Sequence, residues 1–231
     1  MSFVLISLFA CGTTDTTDTS GGGGDTGPGE ADEIPWTGDC PAASGVIDGA
    51  HLEYVYTATW EEHNDRSGGW TYDVSANGDG TYTGVMTIEV AGVNNTMEEV
   101  DTLGYGCDAD GLWLVSKRVD STVTVYEPYE GFLEYTLDAP VLLMPVDMET
   151  GTKWKTEYAG STMNELDQKR AINESYVTEV MGNEAVDVPA GSWTAMRWTR
   201  TSSLGTETNS WVVSGLGLVK DDDSDLTVAP K

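Results

Sequence analysis

Four oxygen-bearing side chains lie at alternate positions between residues 73 and 79, namely Asp73, Ser75, Asn77 and Asp79. Such alternation, with a glycine at the sixth position, is the spacing with which a calcium-binding loop holds its ion. The twelfth position of that frame is Gly84 instead of a bidentate glutamate, and the flanks have the alternation of strands. The pattern therefore favours a solvated hairpin turn and no metal, with a weak calcium site as the alternative.

Nucleophilic catalysis by a serine would need a histidine as its base, and the chain contains two, His51 and His63. Ser192 follows a glycine, but its context Ala-Gly-Ser-Trp-Thr lacks the glycine spacing of a nucleophile elbow. The 39 Asp and Glu residues leave paired carboxylates for glycoside hydrolysis open without singling out a pair. The sequence therefore predicts a protein that is not an enzyme and needs no cofactor.

Cys11 closes the apolar run of residues 3–10. The segment resembles the signal of a bacterial lipoprotein, with Leu8 three residues before the cysteine, small Ala10 directly before it and Gly12 after it. The resemblance implies that residues 1–10 are a signal peptide, that cleavage precedes Cys11, and that its sulfur carries diacylglycerol. The other interpretation is a buried N-terminal strand that ends in a structural cysteine.

The charge of the chain indicates what holds it to a membrane. A formal net charge of -28 repels nucleic acid and anionic lipid head groups. Membrane affinity would therefore come from the acyl anchor. The Gly/Thr/Asp-rich composition of residues 12–34 predicts that residues 11–35 form a lipidated, disordered tether. The sorting rule of such lipoproteins, applied to Thr13, implies the outer membrane of the cell envelope.

The two remaining cysteines, Cys40 and Cys107, form an even pair if Cys11 is acylated. Oxidising compartments favour a disulfide between such residues. The cysteines and histidines show no CxxC or HxxxH spacing, which makes a metal site the weaker alternative. The sequence predicts a disulfide between Cys40 and Cys107.

Period-two alternation and turn signals dominate residues 36–220 and predict one β domain, followed by a frayed acidic tail at 221–231. The segment Thr162–Arg170 could instead form a short helix. β-branched and aromatic residues are concentrated in the predicted strands. These strands are Leu52–Trp60, Trp70–Val74, Thr81–Val90, Leu112–Arg118, Thr122–Tyr126, Phe132–Leu137, Trp154–Ala159, Ile172–Val180, Ala185–Val188, Trp193–Thr201 and Thr208–Val213.

Two motifs in the C-terminal third carry a family resemblance, Val188-Pro-Ala-Gly-Ser-Trp193 and Trp211-Val-Val-Ser-Gly-Leu-Gly-Leu-Val-Lys220. They resemble a family of bacterial envelope proteins that is similar in shape to the carriers of outer-membrane lipoprotein sorting. The resemblance implies an all-β fold, a curved antiparallel sheet forming a half-open β-barrel. The residues themselves predict a turn at Pro189 and a bulge or sharp bend at Gly215 and Gly217.

The aromatic residues are the last candidates for function, because eight Trp and ten Tyr stand against three Phe. Rings with a polar group suit the mouth of a cavity, although ordinary core packing is the alternative. The candidate ligand-binding residues are Trp60, Trp154, Trp198 and Trp211. The sequence thus predicts a lipid-anchored, non-catalytic envelope protein that binds an apolar ligand or a partner protein in a curved sheet. The alternative is a structural or interaction lipoprotein with no ligand cavity.

Overall fold

A computed structural model describes residues 36–38, 40–57, 67–92, 95–124 and 127–229. The described residues form thirteen strands and one 3-10 helix at Ala42–Ser44. The strands are β1 (His51–Tyr56), β2 (Ser67–Ala76), β3 (Thr81–Ala91), β4 (Thr96–Cys107), β5 (Gly111–Thr124), β6 (Pro128–Leu137), β7 (Val141–Pro145), β8 (Lys153–Asn164), β9 (Lys169–Val188), β10 (Gly191–Ser202), β11 (Glu207–Val213), β12 (Gly217–Asp221) and β13 (Ser224–Val228).

Antiparallel pairing joins twelve of these strands into a ring in the order β4-β3-β2-β1-β13-β12-β11-β10-β9-β8-β6-β5, which closes through β4 and β5. Strand β7 pairs with the first part of β5, and β6 pairs with the second part. The predicted all-β fold with a curved antiparallel barrel is confirmed. Its ring of pairings is more closed than the half-open form that the resemblance implied.

The two ends of the barrel differ in their connections. The end that holds Cys107, here called the disulfide end, also carries the β2–β3, β4–β5, β9–β10 and β11–β12 turns. The opposite end, here called the far end, carries the β8–β9, β10–β11 and β12–β13 turns. The apolar residues of the alternating strands face inward and form the core, and the bulky ones that are almost fully buried are Leu52, Met86, Ile88, Leu103, Leu114, Val180, Val219 and Leu226.

The segment before β1 packs against the disulfide end. The Thr37 N–H donates to the Cys107 carbonyl at 2.8 Å, and a Cβ added to Gly106 would lie 2.3 Å from the ring of Trp36. Gly217 approaches Gly45 so closely that an added Cβ would lie 2.6 Å from its Cα. The absence of a side chain lets the N-terminal segment dock there. Gly215 and Gly217, where a bulge or sharp bend was predicted, lie at the β11–β12 turn with φ angles of +80° and +91°.

Two sequence predictions about chain ends and turns are wrong. Residues 221–231 were predicted to form a frayed acidic tail. They contain strand β13 at Ser224–Val228, which pairs with β1 and buries Leu226 completely. The helix predicted at Thr162–Arg170 is a β-hairpin, in which Asn164 Oδ1 accepts hydrogen bonds from the N–H groups of Leu166 and Gln168. An Asx-type turn of this kind competes with helix formation because it satisfies the backbone locally.

Candidate functional site

The predicted cysteine pair comes together at the disulfide end. The Sγ atoms of Cys40 and Cys107 lie 2.01 Å apart, at disulfide-bond distance, and the Cα atoms are 5.0 Å apart. The bridge joins the segment before β1 to the last residue of β4. Cys11, the predicted lipidation site, lies outside the described residues.

The possible calcium ligands lie on a hairpin. Asp73 and Ser75 belong to β2, whereas Asn77 and Asp79 lie in the turn to β3. Asp79 Oδ1 accepts hydrogen bonds from the N–H and the hydroxyl of Thr81, at 3.0 and 2.5 Å, and these bonds lower the pKa of Asp79. The described residues contain no group of three or more His, Cys, Asp or Glu side chains that could hold a metal ion.

His51 lies on the outer surface between two carboxylates. Its Nδ1 is 2.6 Å from Asp73 Oδ1, and its Nε2 is 3.1 Å from Glu53 Oε1. These hydrogen bonds, first that with Asp73 and then that with Glu53, raise the pKa of His51. Both ring nitrogens of His51 are thus paired with carboxylates. The histidine base of a catalytic triad would instead pair one ring nitrogen with the hydroxyl group of the nucleophile. The other histidine, His63, lies outside the described residues.

Two of the four candidate tryptophans meet inside the barrel. Trp154 and Trp198 are both buried and pack edge to face, with ring centroids 5.4 Å apart. The Trp154 Nε1–H donates to the Leu143 carbonyl at 2.9 Å, and the Thr156 hydroxyl donates to the Leu142 carbonyl at 3.0 Å. These bonds link β8 to β7. The position of Trp154 is therefore explained by hydrogen bonds within the barrel wall and does not require a ligand.

Trp211, the third candidate, does not join this pair. Trp211 neighbours the buried Val212 and points to the opposite face of β11, where its Nε1–H donates to Glu184. The ammonium group of Lys220 lies 5.8 Å from the centroid of the Trp211 ring. Trp60 lies outside the described residues. The predicted set of four therefore does not form one aromatic surface among the described residues.

A buried ion pair lies on the inner face of the barrel wall. Lys117 Nζ of β5 is 2.7 Å from Asp101 Oδ2 of β4, and the two side chains are only 4% and 2% exposed. Lys117 Nζ also lies 5.6 Å from the centroid of the Tyr135 ring. A buried ion pair is retained only where its geometry offsets the loss of hydration.

Further charged and aromatic side chains surround this pair toward the far end. Glu99 of β4 and Glu174 and Tyr176 of β9 are half-buried, as is Arg200 of β10. We call the following six residues the polar layer: Glu99, Asp101, Lys117, Glu174, Tyr176 and Arg200.

Electrostatic interactions show that the polar layer spans several strands. Burial raises the pKa of Glu99, and the nearby carboxylate of Asp101 raises it further. Burial also raises the pKa of Glu174. The charge of Lys117 opposes both shifts, so this ammonium group acts on carboxylates of β4 and β9 together.

Tyr176 connects the acid and the base on the β9 side of the polar layer. Its hydroxyl donates to Glu174 Oε2 at 3.1 Å, and the Arg200 guanidinium lies 5.7 Å from the centroid of its ring. Burial, followed by the charge of Glu174, raises the pKa of Tyr176 to about 12. A cation over an aromatic face, beside a carboxylate, is thus a recurring arrangement in this layer.

Several buried polar atoms near this layer have no hydrogen-bond partner in the described structure. They include Tyr56 Oη, Thr178 Oγ1 and Trp198 Nε1. Buried polar atoms in folded proteins are nearly always hydrogen-bonded, so such a group requires an explanation. The unpaired atoms mark this part of the barrel interior as the candidate binding site.

A concavity of about 350 Å³ lies on the wall formed by β4, β5 and β6, and we call it the outer cleft. The guanidinium of Arg118 lies beside it, bonded to both carboxylate oxygens of Asp120 and 4.6 Å from the Phe132 ring centroid. The lining residues are Glu98, Val100, Asp120, Ser121, Thr122, Glu130, Gly131, Phe132 and Glu165.

Asp221, at the end of β12, is a buried carboxylate with an altered titration. Its Oδ1 accepts hydrogen bonds from the N–H groups of Asp223 at 2.8 Å and Ser224 at 2.6 Å. Burial nevertheless raises the pKa of Asp221 to about 6. An aspartate in an unfolded chain titrates near pH ~3.9. The folded state therefore binds more protons between about pH 4 and pH 6, and stability falls as the pH rises through this window.

Asp221→Asn should be more stable than the wild type at about pH 8, by on the order of 2 kcal/mol, and nearly equal to it at about pH 4. Asparagine keeps an oxygen that can accept both backbone bonds but carries no charge to bury. Urea unfolding at both pH values measures the difference. Asp222→Asn is the control, because the exposed Asp222 carboxylate accepts the Asn209 N–H and its loss should give no comparable gain. A difference for Asp221→Asn that does not change with pH would contradict the assignment.

No protein-family model, curated protein or solved structure matches this chain. Among the described residues, no helix has the length and apolar character needed to cross a membrane.

The polar layer was missed at the level of sequence, although one signal for it exists. Glu99 and Asp101 lie at alternate positions that lead in register to the apolar Leu103 of the same strand, and Lys117 lies in a predicted strand rich in apolar residues. A charged residue at a position that alternation assigns to the core indicates either a buried ion pair or a site.

Proposed function

We propose that this chain is a lipid-anchored, non-catalytic binding protein of the bacterial cell envelope that takes up its ligand in the far half of the barrel. The observation that carries the proposal is the polar layer, in which Asp101 Oδ1 is buried without a basic partner among the described residues and the Asp101 carboxylate is hydrogen-bonded to the carboxyl group of Glu99. A packed interior without a binding role gains little from a carboxylate that is buried and only half satisfied. A ligand that pairs with this oxygen would remove the penalty.

The N-terminal residues support the anchoring part of the proposal. The lipoprotein-like signal that ends at Cys11 provides an acylation site, and residues 12–34 provide a polar spacer. The pair Cys40 and Cys107, at disulfide distance, agrees with an oxidising compartment. The outer membrane remains our proposed location within the envelope.

The inner side chains favour a polar ligand over the apolar ligand suggested by the sequence. Large apolar residues such as Leu52, Met86 and Leu103 are almost completely buried. The half-buried positions toward the far end carry Glu99, Glu174 and other charged groups. Polar groups at such positions fix the orientation of a ligand through hydrogen bonds.

The outer cleft supports a second candidate function, that of an interaction lipoprotein. Its carboxylates, among them Glu98, Glu130 and Glu165, surround the Phe132 side chain on the surface. A partner in the envelope could dock there without entering the barrel. A small ligand that is retained inside the barrel would support the first function over this one.

Cys11→Ala should abolish membrane retention, because acylation supplies the membrane affinity in this proposal. Detergent-phase partitioning of wild type and variant measures the effect. Mass spectrometry of the same envelope preparations, denatured and native, reports the acyl group on Cys11 and any non-covalent ligand. The double variant Cys40→Ala/Cys107→Ala is the control and should keep the acyl group. Unchanged partitioning of Cys11→Ala would refute the anchor, and wild type without any bound small molecule would favour the interaction function.

A further inference from the structure

We infer that the barrel site binds a small organic cation, a primary ammonium or guanidinium group, between Tyr56 and the Asp101 carboxylate. The inference rests on the proposed function, since it names the ligand class for the same site. Asp101 Oδ2 is taken by Lys117, whereas Oδ1 is buried without a basic partner among the described residues, and the Asp101 carboxylate is hydrogen-bonded to the carboxyl group of Glu99. An N–H donor with a positive charge is the strongest partner for such an oxygen.

The charges around the site favour a cation. Three carboxylates of the polar layer, Glu99, Asp101 and Glu174, stand against two basic groups, Lys117 and Arg200. Carboxylates that lack a counterion interact unfavourably with one another where the surroundings are poorly hydrated. The carboxylates of Asp221 and Asp223 also act on Tyr56. A cation would therefore reduce the excess of negative charge around the site, whereas an anion would increase it.

The arrangement of the two existing cations shows how a third would be held. Lys117 lies over the ring of Tyr135 and pairs with Asp101, and Arg200 lies over the ring of Tyr176, whose hydroxyl binds Glu174. Each cation thus meets a tyrosine face in the neighbourhood of a carboxylate, a combination that attracts ammonium and guanidinium groups.

Tyr56 and Glu99 offer the same combination a third time. The charge of Asp221, followed by that of Glu99, acts on the Tyr56 phenol, and Glu99 lies two residues from Asp101 on the same face of β4. The Tyr56 hydroxyl is buried and has no hydrogen-bond partner in the described residues. Tyr56 and Glu99 are half-buried, whereas Asp101 is fully buried, so a cation would approach from the far end and reach Asp101 last.

Titration of the full chain with n-butylammonium chloride, followed by calorimetry or NMR, tests the inference. We expect saturable binding that Glu99→Gln weakens by about tenfold or more, the effect of losing one charged hydrogen bond. Glu99→Gln leaves the pair of Asp101 and Lys117 intact, so it should fold even if Asp101→Asn does not. Glu130→Gln is the matched control, because Glu130 lines the outer cleft.

A short acetylated peptide with one lysine distinguishes the source of the cation. Binding of n-butylammonium points to a free amine, and binding of the peptide alone points to a lysine side chain of a partner, and both support the inference. Absence of saturable binding for both probes, or binding that Glu130→Gln abolishes and Glu99→Gln leaves unchanged, would overturn it. If native mass spectrometry then finds a neutral or anionic ligand in the wild type, the proposed function stands while the ligand class is wrong.

Discussion

Lys117→Met should lower the free energy of unfolding by about 3–5 kcal/mol, the largest effect we expect from a single substitution in this barrel. The ammonium group of Lys117 lies 2.7 Å from Asp101 Oδ2, and both side chains are almost fully buried. Removing the cation leaves a carboxylate in the interior without its counterion, and water cannot replace the lost interaction there. Urea unfolding at neutral pH, followed by tryptophan fluorescence, measures the change.

Two variants separate this effect from simple loss of a lysine. The double variant Lys117→Met/Asp101→Asn should recover part of the stability, because it removes the uncompensated charge together with its partner. Lys155→Met is the surface control, since Lys155 pairs with Glu157 in solvent and should change stability by less than about 1 kcal/mol. If Lys117→Met proves no worse than Lys155→Met, the buried ion pair is not a structural element of the folded state.

The strands that sequence could predict are those whose inner positions are apolar. In β1 and β3 the buried residues Leu52, Tyr54, Met86 and Ile88 alternate with exposed or half-buried ones, so period-two analysis located both strands. The same analysis did not find β4 at Thr96–Cys107. Its inner positions include Glu99 and Asp101, and acids at these positions remove the apolar alternation on which the prediction depends.

Long-range pairing explains the other differences in the fold. Strand β5 was predicted as two strands because Asp120 and Ser121 interrupt its apolar pattern, yet the continuous partner β4 holds it extended. Strand β13 was predicted as a tail because Asp221, Asp222 and Asp223 precede it, yet pairing with β1 buries its Leu226. Neither partner is visible within a local window of sequence.

The candidate site was less predictable than the fold for a related reason. Residue type could identify Cys40 and Cys107 as a pair, because few cysteines were available to combine. Residue type could not select Asp101 and Lys117 from 39 acidic and 11 basic residues. Their proximity arises from the register of β4 against β5, where Asp101 lies opposite Val119 and Lys117 opposite Leu103.

The double variant Cys40→Ser/Cys107→Ser should lower the free energy of unfolding by about 4 kcal/mol. The two cysteines are separated by 67 positions in the chain, and a cross-link over that separation restricts the unfolded ensemble strongly. In the folded state the bridge also holds the segment that contains Thr37, whose N–H donates to the Cys107 carbonyl. Urea unfolding under non-reducing conditions, with wild type and variant purified from an oxidising compartment, measures the loss.

Reduction supplies the matched control for this prediction, because it breaks the bridge without changing the sequence. Dithiothreitol should destabilise the wild type by about the same amount and leave the double variant unaffected. Serine is close to cysteine in volume, so a comparable loss in both experiments would assign the effect to the covalent link and not to altered packing around Cys107, which is fully buried. A wild type whose unfolding midpoint is insensitive to reductant and equal to that of the variant would show that the two cysteines are not bridged.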